Sequence, residues 1–405
     1  MLRRTAMATV RTSRYRGLRI VYQHLPGPLT SIALSVHAGA RFDGTHPGIA
    51  HMAEHMLFQG TATLDQVALN RRAAELGGEH NADTGYETIS LTFEVFNEDV
   101  ADALGLLAEQ FYRCRVSEER VRKERRVVLD EIRGRIDDPA ERLHTRAWER
   151  FFGGALAHPV WGGMQSLKAM QARHISGFIE RHFTHDRAVL AIVGGVGAAA
   201  LRTHVRKHFS AGRIGSGVHL PRVRFGSSGL LRMRGGGGQA YVAKLIAVPP
   251  TPRHLIAVGL ALDLVGADPD SRLFQEIRER LGLGYDVSAT LDWGVGWAVA
   301  IISASAARGA ADRLLRAVEE TCQAAATDGF TADELVRARK KLRYRYASLA
   351  ESRFDRALAL AEGTLLGFPL PEEAERIVSS MPQREIETAW RSALEGRTLT
   401  TVLAD

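Results

Sequence analysis

The feature that most constrains this chain is the segment His51-Met-Ala-Glu-His55, which lies in an apolar pattern of helical spacing. That pattern predicts an amphipathic helix whose apolar positions are Ile49, Met52, Ala53, Met56 and Leu57. On a helix, His51 and His55 project from one face a turn apart, close enough to bind one metal ion. Glu54 is then placed to hold a water molecule and take its proton. The sequence therefore predicts a zinc site on this helix.

A third metal ligand is expected from elsewhere in the chain, because catalytic zinc usually has three protein ligands. We predict Glu131, which lies in the long helical segment containing Val127-Val-Leu-Asp-Glu-Ile132. Glu124 lies about two turns earlier on the same face and is predicted to orient a ligand. The alternative is that the two histidines are solvated or locally hydrogen-bonded and that the two glutamates are ordinary exposed acids on a helix.

The composition excludes several classes of protein. A chain of 405 residues is too long for one ordinary core, and 45% hydrophobic with 24% charged residues is typical of globular proteins. The net charge is only +7, and the densest basic run, residues 118–126, is interleaved with acids. Such mixed charge favours a solvated helix face over a nucleic-acid surface, so no nucleic-acid partner is expected.

The sequence also suggests a location. No window approaches the roughly 18 apolar residues of a membrane-spanning helix, so no membrane association is expected. Cys114 and Cys322 show no Cys-x-x-Cys spacing and are expected to be free thiols in a reducing compartment. The first 14 residues lack the apolar stretch of a secretory signal, so a cytoplasmic protein is predicted. Because this start is basic and free of acids, an organelle transit peptide is the alternative.

The pattern of strands and helices predicts an α+β protein with two halves. Residues 1–210 are expected to form the zinc-binding domain, and residues 239–405 repeat its order of elements coarsely. Between them, residues 211–238 are rich in Gly and Ser and end in a run of four glycines, which predicts a linker.

The segment around the two histidines resembles the signature of a known family. Gly48-Ile-Ala-His-Met-Ala-Glu-His-Met-Leu-Phe-Gln-Gly-Thr61 is similar, almost position for position, to the signature of the pitrilysin/insulinase family of inverted-zincin peptidases. The family includes mitochondrial processing peptidases and compact bacterial members, and the resemblance covers nearly the whole chain. It implies one zinc ion per chain, held by His51, His55 and Glu131 with support from Glu124. It also implies two homologous halves, each a mainly antiparallel sheet packed with helices.

A second block, residues 77–88, resembles the family segment that leads into the strand pairing with extended substrate. By this resemblance, Asn81 and Ala82 contact the substrate backbone. An edge strand can hold a peptide in this way because its backbone groups are free to pair with another strand. The alternative is an ordinary turn, since Gly and Asn form turns on any fold.

A third block, residues 271–287, resembles the segment in which active members carry an Arg and a Tyr. Arg278 and Tyr285 fit these positions. The guanidinium is expected to anchor a substrate carbonyl, and the phenol to donate a hydrogen bond to the oxyanion. The alternative is a surface arginine and a packed tyrosine. The chain departs from the family just before this block, where residues 265–270 replace a glycine-rich turn.

The resemblance implies a zinc metalloendopeptidase that acts on unfolded peptides or small protein segments inside a dimer chamber. Because one chain carries both the zinc-site residues and the Arg/Tyr pair, a homodimer is expected. Some relatives divide these two sets of residues between two related subunits. Two alternatives stay open: a catalytically silent or accessory subunit of a heterodimer, and a dedicated protease that matures one leader peptide.

Overall fold

The computed structural model describes residues 9–235, 237–284 and 286–405. They form two compact units, and each unit is built from three separate stretches of chain. Unit 1 comprises Met1–Ile132, Val160–Pro221 and Ser348–Leu370, and unit 2 comprises Arg133–Pro159, Arg222–Ala347 and Pro371–Asp405. The units are therefore interleaved along the chain, whereas the sequence predicted two contiguous domains.

The strands of the described residues, in chain order, are β1 Arg11–Tyr15, β2 Leu18–His24, β3 Leu29–Val36, β4 Glu79–Thr84, β5 Ile89–Phe96, β6 Phe152–Gly154, β7 Ala188–Gly194, β8 Val223–Phe225, β9 Gly229–Arg234, β10 Gln239–Ala247, β11 Val287–Gly294, β12 Trp297–Ala307 and β13 Thr398–Ala404. β8 and β9 lie in the segment predicted as a linker, so that segment contains paired strands.

The α-helices are α1 Ile49–Leu57, α2 Gln66–Glu75, α3 Val100–Arg113, α4 Glu118–Asp137, α5 Pro139–Phe151, α6 Met164–Ala169, α7 Ala172–His182, α8 Ala198–His208, α9 Pro252–Leu262, α10 Arg272–Phe274, α11 Ala311–Asp328, α12 Ala332–Glu351, α13 Arg353–Leu366, α14 Pro371–Ser380 and α15 Gln383–Glu395. Helices α9 and α10 each continue into a π-helical turn, Asp263–Ala267 and Gln275–Arg280 respectively. No helix in these described ranges is both long and apolar enough to cross a bilayer.

Each unit has one large, mainly antiparallel sheet, as predicted. Unit 1 has a six-stranded sheet of order β1-β2-β7-β3-β5-β4, in which only β2 and β7 pair in parallel. Unit 2 has a five-stranded sheet of order β11-β12-β10-β13-β9, in which only β13 and β9 pair in parallel. The hairpin β4–β5 corresponds to β11–β12, and β3, β7 and β2 correspond to β10, β13 and β9. The two units therefore share one topology, which confirms the predicted α+β class.

The sheet of unit 1 is buried on both faces. In β7, Leu190 and Ile192 pack into the larger core with helices that include α1, α3 and α7. The alternate residues of β7, Val189, Ala191 and Val193, pack on the other face against α13. A strand covered on both sides needs apolar residues at every position, which explains the continuous apolar run of β7.

Candidate metal centre

Helix α1 begins at a position fixed by backbone geometry and by one buried carboxylate. Gly48 has a φ of 90°, and a Cβ there would lie 2.6 Å from the carbonyl oxygen of Trp161. Asp43 accepts hydrogen bonds from the backbone N–H groups of Gly48 at 2.6 Å and Ala50 at 3.0 Å, which satisfies two free donors of the helix start. Burial raises the pKa of Asp43 well above its usual value. The start of α1 is thus held from outside the helix.

The two faces of α1 have different surroundings, as the sequence predicted. The apolar face is fully buried and consists of Ile49, Ala50, Met52, Ala53, Met56 and Leu57. His51, Glu54 and His55 are half-buried on the other face. Packing of the apolar face fixes the rotation of the helix, and therefore the direction in which the three polar side chains point.

Three potential metal ligands converge at this face. His51 Nε2 and His55 Nε2 lie 3.9 Å and 3.7 Å from Glu131 Oε2, and the two imidazole rings are 4.7 Å apart and nearly perpendicular. The ligand atoms of the three residues all lie within 4.8 Å of one another, and in the described ranges no other His, Cys, Asp or Glu group of this kind is found. Two imidazoles and one carboxylate are a donor set typical of catalytic zinc.

Glu124 supports one of these ligands. It lies two turns before Glu131 on α4, and its side chain is only 9% exposed. Its Oε2 lies 3.2 Å from His55 Nδ1, so His55 presents its other ring nitrogen, Nε2, to Glu131. A carboxylate behind a ligating histidine fixes the ring orientation and increases the basicity of the ligand nitrogen.

Glu54 lies beside the three ligands and is held by β4. Its Oε2 accepts a hydrogen bond from the hydroxyl of Thr84. Burial raises the pKa of Glu54 to about 7, although the hydrogen bond from Thr84 and the nearby His55 oppose this shift. A carboxylate with a pKa near neutrality can both accept and return a proton, as a general base requires.

Several residues that hold this arrangement were not predicted from the sequence. Gln110 of α3 is fully buried, donates to the carbonyl of Leu57 at 3.0 Å and lies 3.0 Å from His80 Nε2. His80 stacks on Phe93 with the ring centroids 4.1 Å apart, and burial lowers its pKa to about 4. The end of α1 is thus tied to β4 through a neutral histidine. A buried Gln in an apolar helix face was the available signal.

The predicted substrate strand is an edge strand in the structure. Within the described ranges, β4 pairs only with β5, so one of its sides carries no described strand. Asn81 is exposed and pairs with Thr92, while Ala82 is buried and pairs with Leu91. Because Thr84 ends this strand and contacts Glu54, the free edge of β4 leads to the polar face of α1.

Arg278 lies in unit 2, in the π-helical turn after α10. Its guanidinium packs over Phe274 at 5.0 Å and lies 3.5 Å from Glu279. It also lines a cavity of about 670 Å³ with Tyr241, Asp286 and other residues of unit 2. Tyr285, its predicted partner, lies outside the described residues.

Unit 2 carries an ion pair on the two helical segments that correspond, in the order of elements, to the helices of the candidate metal centre. The helices that correspond to α1 and α4 are α9 and α12, each in the same place in the order of elements. After α9, Asp263 is 3% exposed and accepts a hydrogen bond from Arg345 of α12 at 2.7 Å. α12 thus contributes a cation to this contact, whereas α4 contributes a carboxylate in unit 1, and no metal-ligand cluster is found in the described residues of unit 2.

The fold and the three converging side chains together define a class: a two-unit α+β fold with an inverted His-x-x-Glu-His helix in one unit, which is the motif of the inverted zincins. Residues 19–160 match the family model described as Insulinase (Peptidase family M16), and residues 169–342 match the model described as Peptidase M16 inactive domain. The chain therefore belongs to the pitrilysin/insulinase family, peptidase family M16, as its sequence predicted.

Named relatives agree with this assignment. An uncharacterized zinc protease of Mycobacterium leprae is 32% identical over 82% of this chain and 77% of its own length. One from Bacillus subtilis is 25% identical over 81% of each chain. Among solved structures, a protease from Helicobacter pylori has a TM-score of 0.93 at 18% identity, covering 98% of this chain and 100% of its own. A peptidase M16 inactive domain from Pseudomonas fluorescens has a TM-score of 0.91, also at 18% identity, and covers 98% of each chain. At 18% identity these two structures establish similarity of fold alone.

Proposed function

We propose that this chain is a zinc-dependent endopeptidase that hydrolyses peptide bonds in unfolded peptides or small protein segments. The observation that carries the proposal is the convergence of His51, His55 and Glu131 beside Glu54. Relatives named zinc proteases support zinc as the metal. One ion per chain is proposed because the described residues contain one such cluster.

The residues present fit a zinc ion. His51 and His55 would ligate through Nε2 and Glu131 through Oε2, which leaves a fourth position open as in catalytic zinc sites. Bound zinc supplies Lewis-acid chemistry, which makes water more acidic and polarises a carbonyl group. The protein contributes the orientation of these ligands, through Glu124 and the packing of α1.

Glu54 is proposed to move the proton. Its carboxylate takes a proton from the attacking water and returns it to the leaving amine, while the Thr84 hydroxyl holds Oε2 in place. The exposed edge of β4 would bind substrate in extended conformation through backbone hydrogen bonds at Asn81 and Ala82. Arg278 and Tyr285 are proposed, on the family resemblance, to bind a substrate carbonyl and the oxyanion.

The proposed assembly is a homodimer, since a single chain carries every residue assigned a role. A heterodimer with a related subunit is the alternative, in which this chain would be an accessory subunit. The ion pair of Asp263 and Arg345 in unit 2 shows that this topology can persist without metal ligands. The ligand set of unit 1 favours an active enzyme. A dedicated leader-peptide protease would use the same site.

The test is the substitution Glu54→Gln, which preserves side-chain size but cannot take a proton. We expect the zinc content, measured by mass spectrometry of the purified protein, to equal that of the wild type. Cleavage of an unstructured fluorogenic peptide should fall by about 100-fold or more, the usual contribution of a general base. Glu119→Gln, at an exposed position of α4, is the control and should cleave normally.

Two outcomes would contradict the proposal in different ways. Undiminished cleavage by Glu54→Gln would exclude Glu54 as the base. A zinc-loaded wild-type protein that cleaves no member of a mixed pool of unstructured peptides would instead favour the accessory subunit. Mapping the cut sites in such a pool by mass spectrometry would define the cleavage preference.

A further inference from the structure

A cleft beside the edge strand β1 is lined by arginines. Among the residues that the structure describes, β1 is the terminal strand of the six-stranded sheet and pairs only with β2. Between β1 and α8 lies a cavity of about 380 Å³, and none of the described residues that line it is acidic. Those residues are Arg11, Thr12, Ser13, Arg14, Tyr15, Ile20, Tyr22, Ala198, Leu201, Arg202, Val205 and Arg206. The cleft lies entirely within unit 1 and is separate from the metal centre.

Four arginines give the lining of this cleft its positive charge. Arg11, Arg14, Arg202 and Arg206 are exposed, and none of them forms an ion pair with an acid among the described residues. Elsewhere on the protein, many exposed arginines do pair with an acid, as Arg253 does with Glu385 at 2.5 Å. The sequence before β1 adds two further arginines and no acid. Four such arginines around one cleft create a local field that attracts anions.

The backbone of β1 gives this cleft a second recognition element. In an antiparallel edge strand, alternate residues direct their N–H and C=O groups away from the neighbouring strand. These groups can pair with another extended chain, as in β-augmentation. The hairpin to β2 turns at Arg16 and Gly17, which both have positive φ, so the turn matches the strand twist and holds β1 in place.

We propose that this cleft binds an extended acidic segment of a partner polypeptide, which adds to β1 as a further strand. Every second side chain of this segment would be a carboxylate that faces the arginines on the α8 side of the sheet, Arg11, Arg202 and Arg206, and the alternate side chains would point to the other face, where Arg14 lies. A free strand edge complements a peptide backbone, whereas a nucleic acid or a lipid surface has no matching ladder of hydrogen bonds. The charge therefore selects an acidic ligand, and the strand edge selects a peptide. The proposal does not depend on zinc chemistry.

The test is fluorescence anisotropy with the full chain and a labelled peptide of alternating glutamate and valine. We expect binding that weakens with salt and is unchanged by a zinc chelator. Changing the four arginines together to glutamine should weaken binding by about tenfold or more, and changing them to lysine should largely preserve it. The matched control changes Arg71, Arg122, Arg126 and Arg181, which are exposed elsewhere on unit 1, to glutamine.

The contribution of backbone hydrogen bonds between β1 and the peptide is tested by modifying the peptide, so that β1 itself stays intact. The same peptide with N-methyl groups at alternate residues, made in both registers, should bind more weakly in one register than in the other. If the two methylated peptides bind equally well, the proposal is wrong. It is also wrong if the variant with four glutamines binds the unmethylated peptide as tightly as the wild type does. A single-stranded RNA or an anionic vesicle that binds at these arginines, where the acidic peptide does not, would overturn it as well. Thermal unfolding of each variant checks that it is folded.

Discussion

Glu124 provides a sensitive test of how the metal centre is organised, because it contacts a proposed ligand and not the metal. The substitution Glu124→Gln retains the size of the side chain and one oxygen, but it removes the negative charge behind His55 Nδ1. At 9% exposure, this carboxylate is shielded from solvent, so its charge acts on the imidazole with little screening. We expect His55 to become a weaker ligand and zinc to bind less tightly.

The expected loss of zinc affinity can be estimated from other metalloproteins in which the group behind a ligating histidine was removed. Loss of the group behind a metal-ligating histidine weakens metal binding by roughly 10–100-fold, or about 1.4–2.7 kcal/mol. With zinc in excess over both dissociation constants, the zinc-dependent stabilisation of the fold should fall by the same amount. For a domain of 150–250 residues, each kcal/mol corresponds to about 2–4 °C. The zinc-induced increase in Tm should therefore be about 3–11 °C smaller in the variant.

The assay compares Tm with excess zinc and with a chelator, for the wild type, Glu124→Gln and the control Glu119→Gln. The control should behave as the wild type, because Glu119 is exposed on the same helix. Competition with a chromogenic chelator gives the zinc affinities directly. If Glu124→Gln binds zinc as tightly as the wild type, then the contact with His55 Nδ1 does not support the ligand, and the reasoning fails.

Three further predictions concern stability. Gly48→Ala should destabilise the protein by at least about 1 kcal/mol in urea unfolding, because its φ is 90° and a Cβ would clash with a backbone oxygen. His37 and His182 have pKa values lowered to about 4 and about 3, chiefly by burial. Their contribution to the free energy of unfolding is complete above the unfolded pKa of about 6.5 and is lost as the pH falls from there towards 4. Urea unfolding at several pH values measures this loss. Arg345→Gln should cost about 1–3 kcal/mol in urea unfolding because Asp263 is left buried without its cation, and adding Asp263→Asn should recover part of that loss.

Each of these has an outcome that would contradict it. An unchanged urea midpoint for Gly48→Ala would mean that the loop before α1 adapts to a side chain. For the histidines, the free energy of unfolding is compared between the wild type and a variant with both His37→Gln and His182→Gln. If the difference between the two proteins stays constant from pH 7 to pH 4, these histidines accept protons in the folded state. A double variant at Asp263 and Arg345 no more stable than Arg345→Gln would mean that the buried charge is not what destabilises the single variant.

The sequence could predict that these three side chains converge, because the positions of two of them are fixed by local geometry. The spacing of His51 and His55 sets their separation on any helix, and the apolar positions set which face is buried. Glu131 followed from the ligand count and from the resemblance, and the structure places its carboxylate near both histidines. Their roles as ligands stay proposals until zinc is measured.

The contacts that hold the site were not predictable in this way. Thr84, Gln110 and Asp43 reach α1 from other elements, and a single sequence does not specify which polar side chains meet across a fold. The interleaving of the two units was not predictable for the same reason. An amphipathic helix such as α13 shows that it covers a sheet but not which sheet. β9 was hidden because its short alternating pattern lies within a Gly- and Ser-rich stretch.

The anchoring of α1 has a consequence for how this protein acquires its metal. The helix is held by its apolar face, by Asp43 at its start and by Gln110 at its end, and none of these contacts involves a ligand atom. We therefore expect folding not to require zinc, unlike the folding of a zinc finger, which needs its ion. The polypeptide can mature in a zinc-poor environment and be loaded later. On the proposed function, metal availability would control activity without a cycle of unfolding and refolding.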